Sequence, residues 1–161
     1  MRKITHPIFI FAIVFFAGLS GLAQSPPTAK APLFDAELAK KLGADKNGMK
    51  NYVLAILKTG PKDADIKGKE REDMFKGHMA NIKRLADEGK LAVAGPFGKN
   101  DLAFRGLFIL NAATLDDAKK LTDTDPVIRS GMMIVELIPW YGSAALMQTN
   151  EIHGKIAEMK F

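Results

Sequence analysis

The chain has 161 residues, 47% hydrophobic and 25% charged, with 23 Lys and Arg against 18 Asp and Glu for a formal charge of +5. That length fits one domain able to bury a core unaided, and the absence of cysteine excludes disulfides, thiolate metal sites and cysteine nucleophiles. The mild basicity is scattered rather than striped, which argues against nucleic acid as a partner.

Met1-Arg2-Lys3 is a short positive start, Ile8 to Ala17 is almost unbroken Ile, Phe, Val and Ala, and small residues follow to Ala23. This pattern reads as a signal peptide over residues 1–23, cut before Gln24, and implies export to the periplasm or the extracellular space. An uncleaved membrane anchor is the alternative. The apolar stretch is about ten to fifteen residues, short of the roughly twenty that span a bilayer. No later segment is apolar enough to cross, so no stable span is expected after cleavage.

Residues 24–49 form a leader. Its Ser/Pro/Ala-rich start gives way to Phe34, Leu38 and Leu42 at helical spacing, with Gly43 as the stop. The run Tyr52 to Leu57 is continuously apolar and predicts a strand buried on both faces. Gly60 to Gly68 is a charged loop. From about Lys69 to Glu88 the period becomes helical, with Phe75, Met79, Ile82, Leu85 and Ala86 as the apolar stripe and Gly89 just past the end.

Leu91 to Ala94 predicts a short strand ending in a Gly95-Pro96-Phe97-Gly98 turn, and Phe104 to Leu110 predicts the next. Thr114-Leu115-Asp116-Asp117 has the form of a helix cap, and Asp125-Pro126 starts a second helical turn that Gly131 ends. Met132 to Ile138 predicts the last strand, closed by Pro139-Trp140-Tyr141-Gly142. Residues 143–161 form a tail, with a loose amphipathic helix expected over 144–160.

The order over residues 50–142 is β-α-β-β-α-β, an α+β ferredoxin-like plan of four antiparallel strands with two helices on one face. The first and last strands are apolar on both sides, and an exposed apolar sheet face would be a large patch on a monomer. A homodimer packing sheet on sheet resolves this.

Dinucleotide, P-loop, zincin and nucleophile-elbow motifs are absent, so no cofactor is implied. Arg105-Gly106 faintly echoes an RNA-binding strand, but the aromatics that would stack bases are missing. Of three histidines, His6 lies in the signal segment and His153 in the tail. His78 lies on the apolar side of the long helix, where an imidazole is either a satisfied core residue or a general base. A lone core histidine without a spaced partner is no metal site. Asp125 is explained by capping alone, yet a carboxylate meeting His78 would fix its tautomer and stabilise its charged form. Arg105 and Glu136 are charges within apolar strands, fit either to line a pocket or to make cross-strand ion pairs.

The run His78 to Leu91, followed by Ala94-Gly95-Pro96-Phe97, Arg105-Gly106-Leu107-Phe108-Ile109 and Asp125-Pro126 through Gly131, resembles the YCII-related family in the same order over roughly residues 50–142. The resemblance implies a dimeric α/β barrel of ferredoxin-like protomers, and places that family's recurrent His and Asp on His78 and Asp125. Some relatives are linked to lyase-type chemistry on small ring compounds, though most have no established reaction. Where an exported branch reads His-Pro-Trp-Tyr-Gly, this chain has Ile138 in place of the His, so any role of that residue does not transfer.

These readings give an exported homodimer acting on a small organic molecule, with His78 as acid/base, Asp125 as its orienter and Arg105 contacting a polar or anionic group. The reaction class is lyase, isomerase or hydrolase. The competing reading is a non-catalytic homodimer that binds a small ligand. A third, a membrane-tethered accessory protein, rests on retention of the signal segment.

Overall fold

The computed structural model describes residues 33–158. The expected signal peptide, the start of the leader and the last residues of the tail lie outside that range. The elements are α1 (Ala36–Leu42), β1 (Met49–Thr59), α2 (Gly68–Asp87), β2 (Leu91–Pro96), β3 (Phe104–Leu110), α3 (Leu115–Thr122), α4 (Pro126–Arg129), β4 (Met133–Ser143), a 3₁₀ segment (Ala144–Gln148) and α5 (Thr149–Ile156). The strands form one antiparallel sheet in the order β2-β3-β1-β4. This is the ferredoxin-like arrangement, with β1 and β3 central and β2 and β4 at the edges.

Helix ends follow local chemistry. Asp35 caps α1 by accepting from the Leu38 N–H, and Thr114 caps α3 by accepting from Asp117. Gly89 and Gly131 take φ of 66° and 78°, left-handed values that turn the chain from helix into strand.

Strand alternation divides the sheet into two unlike faces. Val53, Ala55 and Leu57 of β1 point to the helices and pack with Leu85, Phe108, Leu110, Val127 and Met132 in the main core. Each fully buried large apolar side chain there contributes about 1.5–3 kcal/mol. On the opposite face Tyr52 is buried with Ala92 and Ile109, and Leu54, Trp140, Leu146 and Met147 pack against them. The 3₁₀ segment thus closes one end of that face. Burial pushes the Tyr52 phenol above its ordinary pKa, and its hydroxyl donates to the Ser143 carbonyl at 3.1 Å.

Towards the other end of this face, Ile134 is 48% exposed and Ile138 39% exposed. The expectation that β1 is buried on both faces therefore needs correction: on the side away from α2 the 3₁₀ segment covers only the Tyr52 end, and Leu54 and Ile56 are half-buried.

Two strand ends also need correction. β2 continues through Pro96, and β4 runs through Pro139-Trp140-Tyr141-Gly142, with Val53 opposite Pro139 and Tyr52 opposite Trp140. Both are edge strands, where proline's missing N–H can face away from the ladder. The tail begins with a 3₁₀ segment, and its α-helix is confined to Thr149–Ile156. Among the described residues, no helix is long and apolar enough to cross a membrane.

Candidate active site

Helix α2 lies on the sheet with Phe75, Asn81, Ile82 and Leu85 turned inward, while Met79 is 40% exposed. Met79 is therefore not part of the inward stripe that the sequence suggested. His78 occupies the inward position between Phe75 and Asn81, one helical turn from each. Its ring stacks on Phe108 of β3, with centroids 5.9 Å apart and planes at 23°, and meets Phe75 edge-on at 6.2 Å. These contacts fix the plane of the imidazole.

Asp125 precedes the single turn of α4 and is fully buried. One carboxylate oxygen, Oδ1, accepts the Val127 N–H at 3.1 Å and so caps α4. The other, Oδ2, lies 2.7 Å from Nδ1 of His78 and 3.5 Å from Nδ2 of Asn81. Capping and pairing with His78, alternatives in the sequence, are made together by the two oxygens of one side chain.

The approach of α4 to α2 depends on Gly77. A Cβ added there would lie 2.8 Å from Cγ of Pro126, a contact that a rigid ring cannot relieve without moving α4. Glycine inside a helix costs about 1 kcal/mol relative to alanine. Here its missing side chain lets Pro126 seat against α2, which brings Asp125 to the neighbouring His78.

The chemistry follows from the donors. An ionised carboxylate has no proton to give, so a neutral His78 bonded to it carries its hydrogen on Nδ1 and presents the lone pair on Nε2. The His78 side chain is 12% exposed, and Nε2 makes no hydrogen bond to a described residue. No buried side-chain nitrogen or oxygen among the described residues lacks a partner, so Nε2 is not fully enclosed. The arrangement can hold a ring in one tautomer and accept a proton at the outward nitrogen.

Arg105 is not brought to this pair. Its Nε donates to Thr59 Oγ1 at 2.7 Å, and its guanidinium lies 3.7 Å from Asp63 Oδ2. It lines a separate open cleft of about 510 Å³ with Thr59, Phe97, Lys99 and Phe104. Arg105 precedes Phe108 by three strand residues, roughly 10 Å along β3. Glu136 pairs with Lys58 on the open sheet face rather than with Arg105. Among the described residues, no group of three His, Cys, Asp or Glu is placed to hold a metal.

The profile of the YCII-related domain matches residues 52–141, from within β1 to near the end of β4. The chain belongs to the YCII-related family. No curated protein matches it. Among solved structures it is similar to the 5-chloro-2-hydroxyhydroquinone dehydrochlorinase TftG of Burkholderia phenoliruptrix AC1100, determined in complex with 2,5-dihydroxybenzoquinone. Identity is 23% with a TM-score of 0.40, over 55% of this chain and 92% of that one.

Within this YCII-related domain, Ile138 lies opposite Leu54 on the open sheet face, whereas His78 and Asp125 lie on the helix side. Two further residues of the site escaped the sequence reading. Asn81 looks like an ordinary polar residue of a solvated helix, although its position three after His78 was a signal. Gly77 had only its place inside a strongly helical pattern to mark it.

Proposed function

We propose that this YCII-related protein acts on a small organic molecule by acid/base chemistry. His78 is the proton acceptor and donor at Nε2, and Asp125 fixes its tautomer. The observation that carries this reading is the 2.7 Å contact between His78 Nδ1 and a fully buried Asp125 carboxylate, with Nε2 making no hydrogen bond to a described residue. The reaction is proton abstraction coupled to elimination, isomerisation or hydrolysis. Arg105 contacts a polar or anionic group of a ligand long enough to reach from the imidazole to the strand end.

The working unit is an exported homodimer. The half-exposed Ile134 and Ile138, with Leu54 and Ile56 beside them, support pairing through the open sheet face. Analytical ultracentrifugation of wild type and Ile138→Asp tests the dimer. A wild-type monomer would remove it. Export is tested by the intact mass of the secreted protein, and a species still carrying residues 1–23 would overturn cleavage.

A binding-only reading is favoured by one observation: the open cleft beside Arg105 is not lined by His78 or Asp125. A thermal-shift panel of small cyclic and acyclic organic compounds separates the two readings, since a true ligand raises apparent stability. Each compound that shifts wild type is then incubated with wild type and with His78→Ala. Conversion by wild type and none by the variant is the expected result. Equal conversion by both would defeat the acid/base assignment, and binding without conversion by either would leave the binding-only reading.

A further inference from the structure

We infer that Asn81 is a positioning residue of the site, holding the Asp125 carboxylate and through it the tautomer of His78. The inference rests on the acid/base reading of His78 and adds to it a third side chain that the YCII-related resemblance did not supply.

Asn81 is buried on α2, one turn beyond His78, so both side chains leave the helix towards the same carboxylate oxygen. An amide can be turned either way, and its neighbours decide which end faces which. Arg84, a further turn along the helix edge, donates from one guanidinium nitrogen to Asn81 Oδ1 at 2.8 Å and to Thr124 Oγ1 at 3.0 Å. The Thr124 hydroxyl itself lies 2.9 Å from the same Oδ1. A guanidinium can only donate, so the amide oxygen must face Arg84. The amide NH₂ is then left facing Asp125, which as a carboxylate can only accept.

The Asn81–Asp125 separation of 3.5 Å is at the outer edge of hydrogen bonding. The amide therefore contributes direction more than bond strength. The positive end of its dipole lies against a buried anion, where a polar neighbour has a large electrostatic effect. Oδ2 thus has two donors from α2, and Oδ1 has the Val127 N–H. That set leaves the carboxylate one orientation, and the carboxylate leaves His78 one tautomer.

The test reads the imidazole directly, without substrate. Nitrogen-15 NMR of the full chain at alkaline pH, with the His78 signals identified by their loss in His78→Ala, distinguishes Nδ1–H from Nε2–H rings. Wild type is expected to show a single Nδ1–H signature. Asn81→Leu keeps the volume and removes the donor, and should add Nε2–H character while the circular dichroism spectrum stays native. Asn81→Ala carries the same expectation and serves if the leucine variant does not fold. A folded variant with the wild-type His78 signature overturns the positioning role, as does a wild-type ring that is not Nδ1–H. Turnover is not read here, so failure of the acid/base reading, judged by His78→Ala, remains a distinct result.

Discussion

Two of the described aspartates outside α2, Asp125 and Asp63, receive cationic or donating partners from that helix, and they are held very differently. Asp125 is fully buried, and its oxygens are filled by His78, Asn81 and the Val127 N–H. Asp63 sits in the loop before α2, partly open to water, with Arg71 at 2.8 Å and Arg105 at 3.7 Å. Arg71 also spans to the Asp63 and Ile66 carbonyls, so that cluster fastens a loop to the start of the helix. Water can replace any contact at Asp63. At Asp125 every lost contact leaves a buried donor or acceptor unpaired, which is what allows that cluster to impose one geometry on a ring.

The sharpest way to break the contrast is to remove each carboxylate in turn. Asp125→Ala loses a helix cap worth about 1 kcal/mol, and leaves buried donors on His78, Asn81 and Val127, adding about 1–3 kcal/mol. The unfolding free energy from urea titration should fall by roughly 2–4 kcal/mol. A loss under about 0.5 kcal/mol would place Asp125 with ordinary surface residues.

Gly77→Ala comes next. The new methyl clashes with Pro126, an overpacking cost of about 1–3 kcal/mol, partly offset by about 1 kcal/mol of gained helix propensity. Stability should drop by roughly 1 kcal/mol on these figures, but the His78 nitrogen signature should change with it. An unchanged signature would mean that the α2–α4 spacing does not set the dyad.

Asp63→Ala should cost still less. Its ion pairs are partly exposed, and such pairs are worth about 0–1 kcal/mol. The His78 signature should be that of wild type, and a large loss at this position would erase the distinction between the two clusters.

The smallest effect is expected at a carboxylate on the outer surface of α3, about half exposed. At Asp117 the hydrogen bond from Lys120, and then that from Thr114, hold the carboxyl below its ordinary value of 3.8. A depressed carboxylate stabilises the fold above that value, and the contribution drains away as pH falls through the folded pKa. Thermal midpoints of wild type and Asp117→Asn should therefore differ slightly at neutral pH and converge in acid. A difference that persists under fully acidic conditions would assign the effect to something other than this charge.

The parts of this architecture legible in the sequence are those decided within a few residues. Thr114, Asp125-Pro126, Gly89 and Gly131 mark helix boundaries because caps and left-handed turns need particular side chains, or none, at one position. Pro96 and Pro139 misled because proline reads as a stop, and only the sheet order reveals that both strands are edges. The continuous apolar run of β1 does not say what covers each side. His78 and Asp125 were visible as candidates, but their meeting depends on α4 seating at Gly77, a contact between elements far apart in the chain. Asn81 stayed hidden because its role is set by Arg84 and Thr124, which turn its amide around.

The brevity of α4 has one more consequence. A single helical turn cannot stand alone in water, since the cost of nucleating it exceeds what so few bonds return. Pro126–Arg129 is helical because Asp125 starts it and α2 supports it. The carboxylate that orients the ring is therefore itself a product of tertiary docking. In hydrogen-exchange terms, the Val127 amide and the His78–Asp125 bond should open together, in the event that lifts α4 from α2. The dyad exists only in the docked state, so whatever it does requires α4 to be seated on α2.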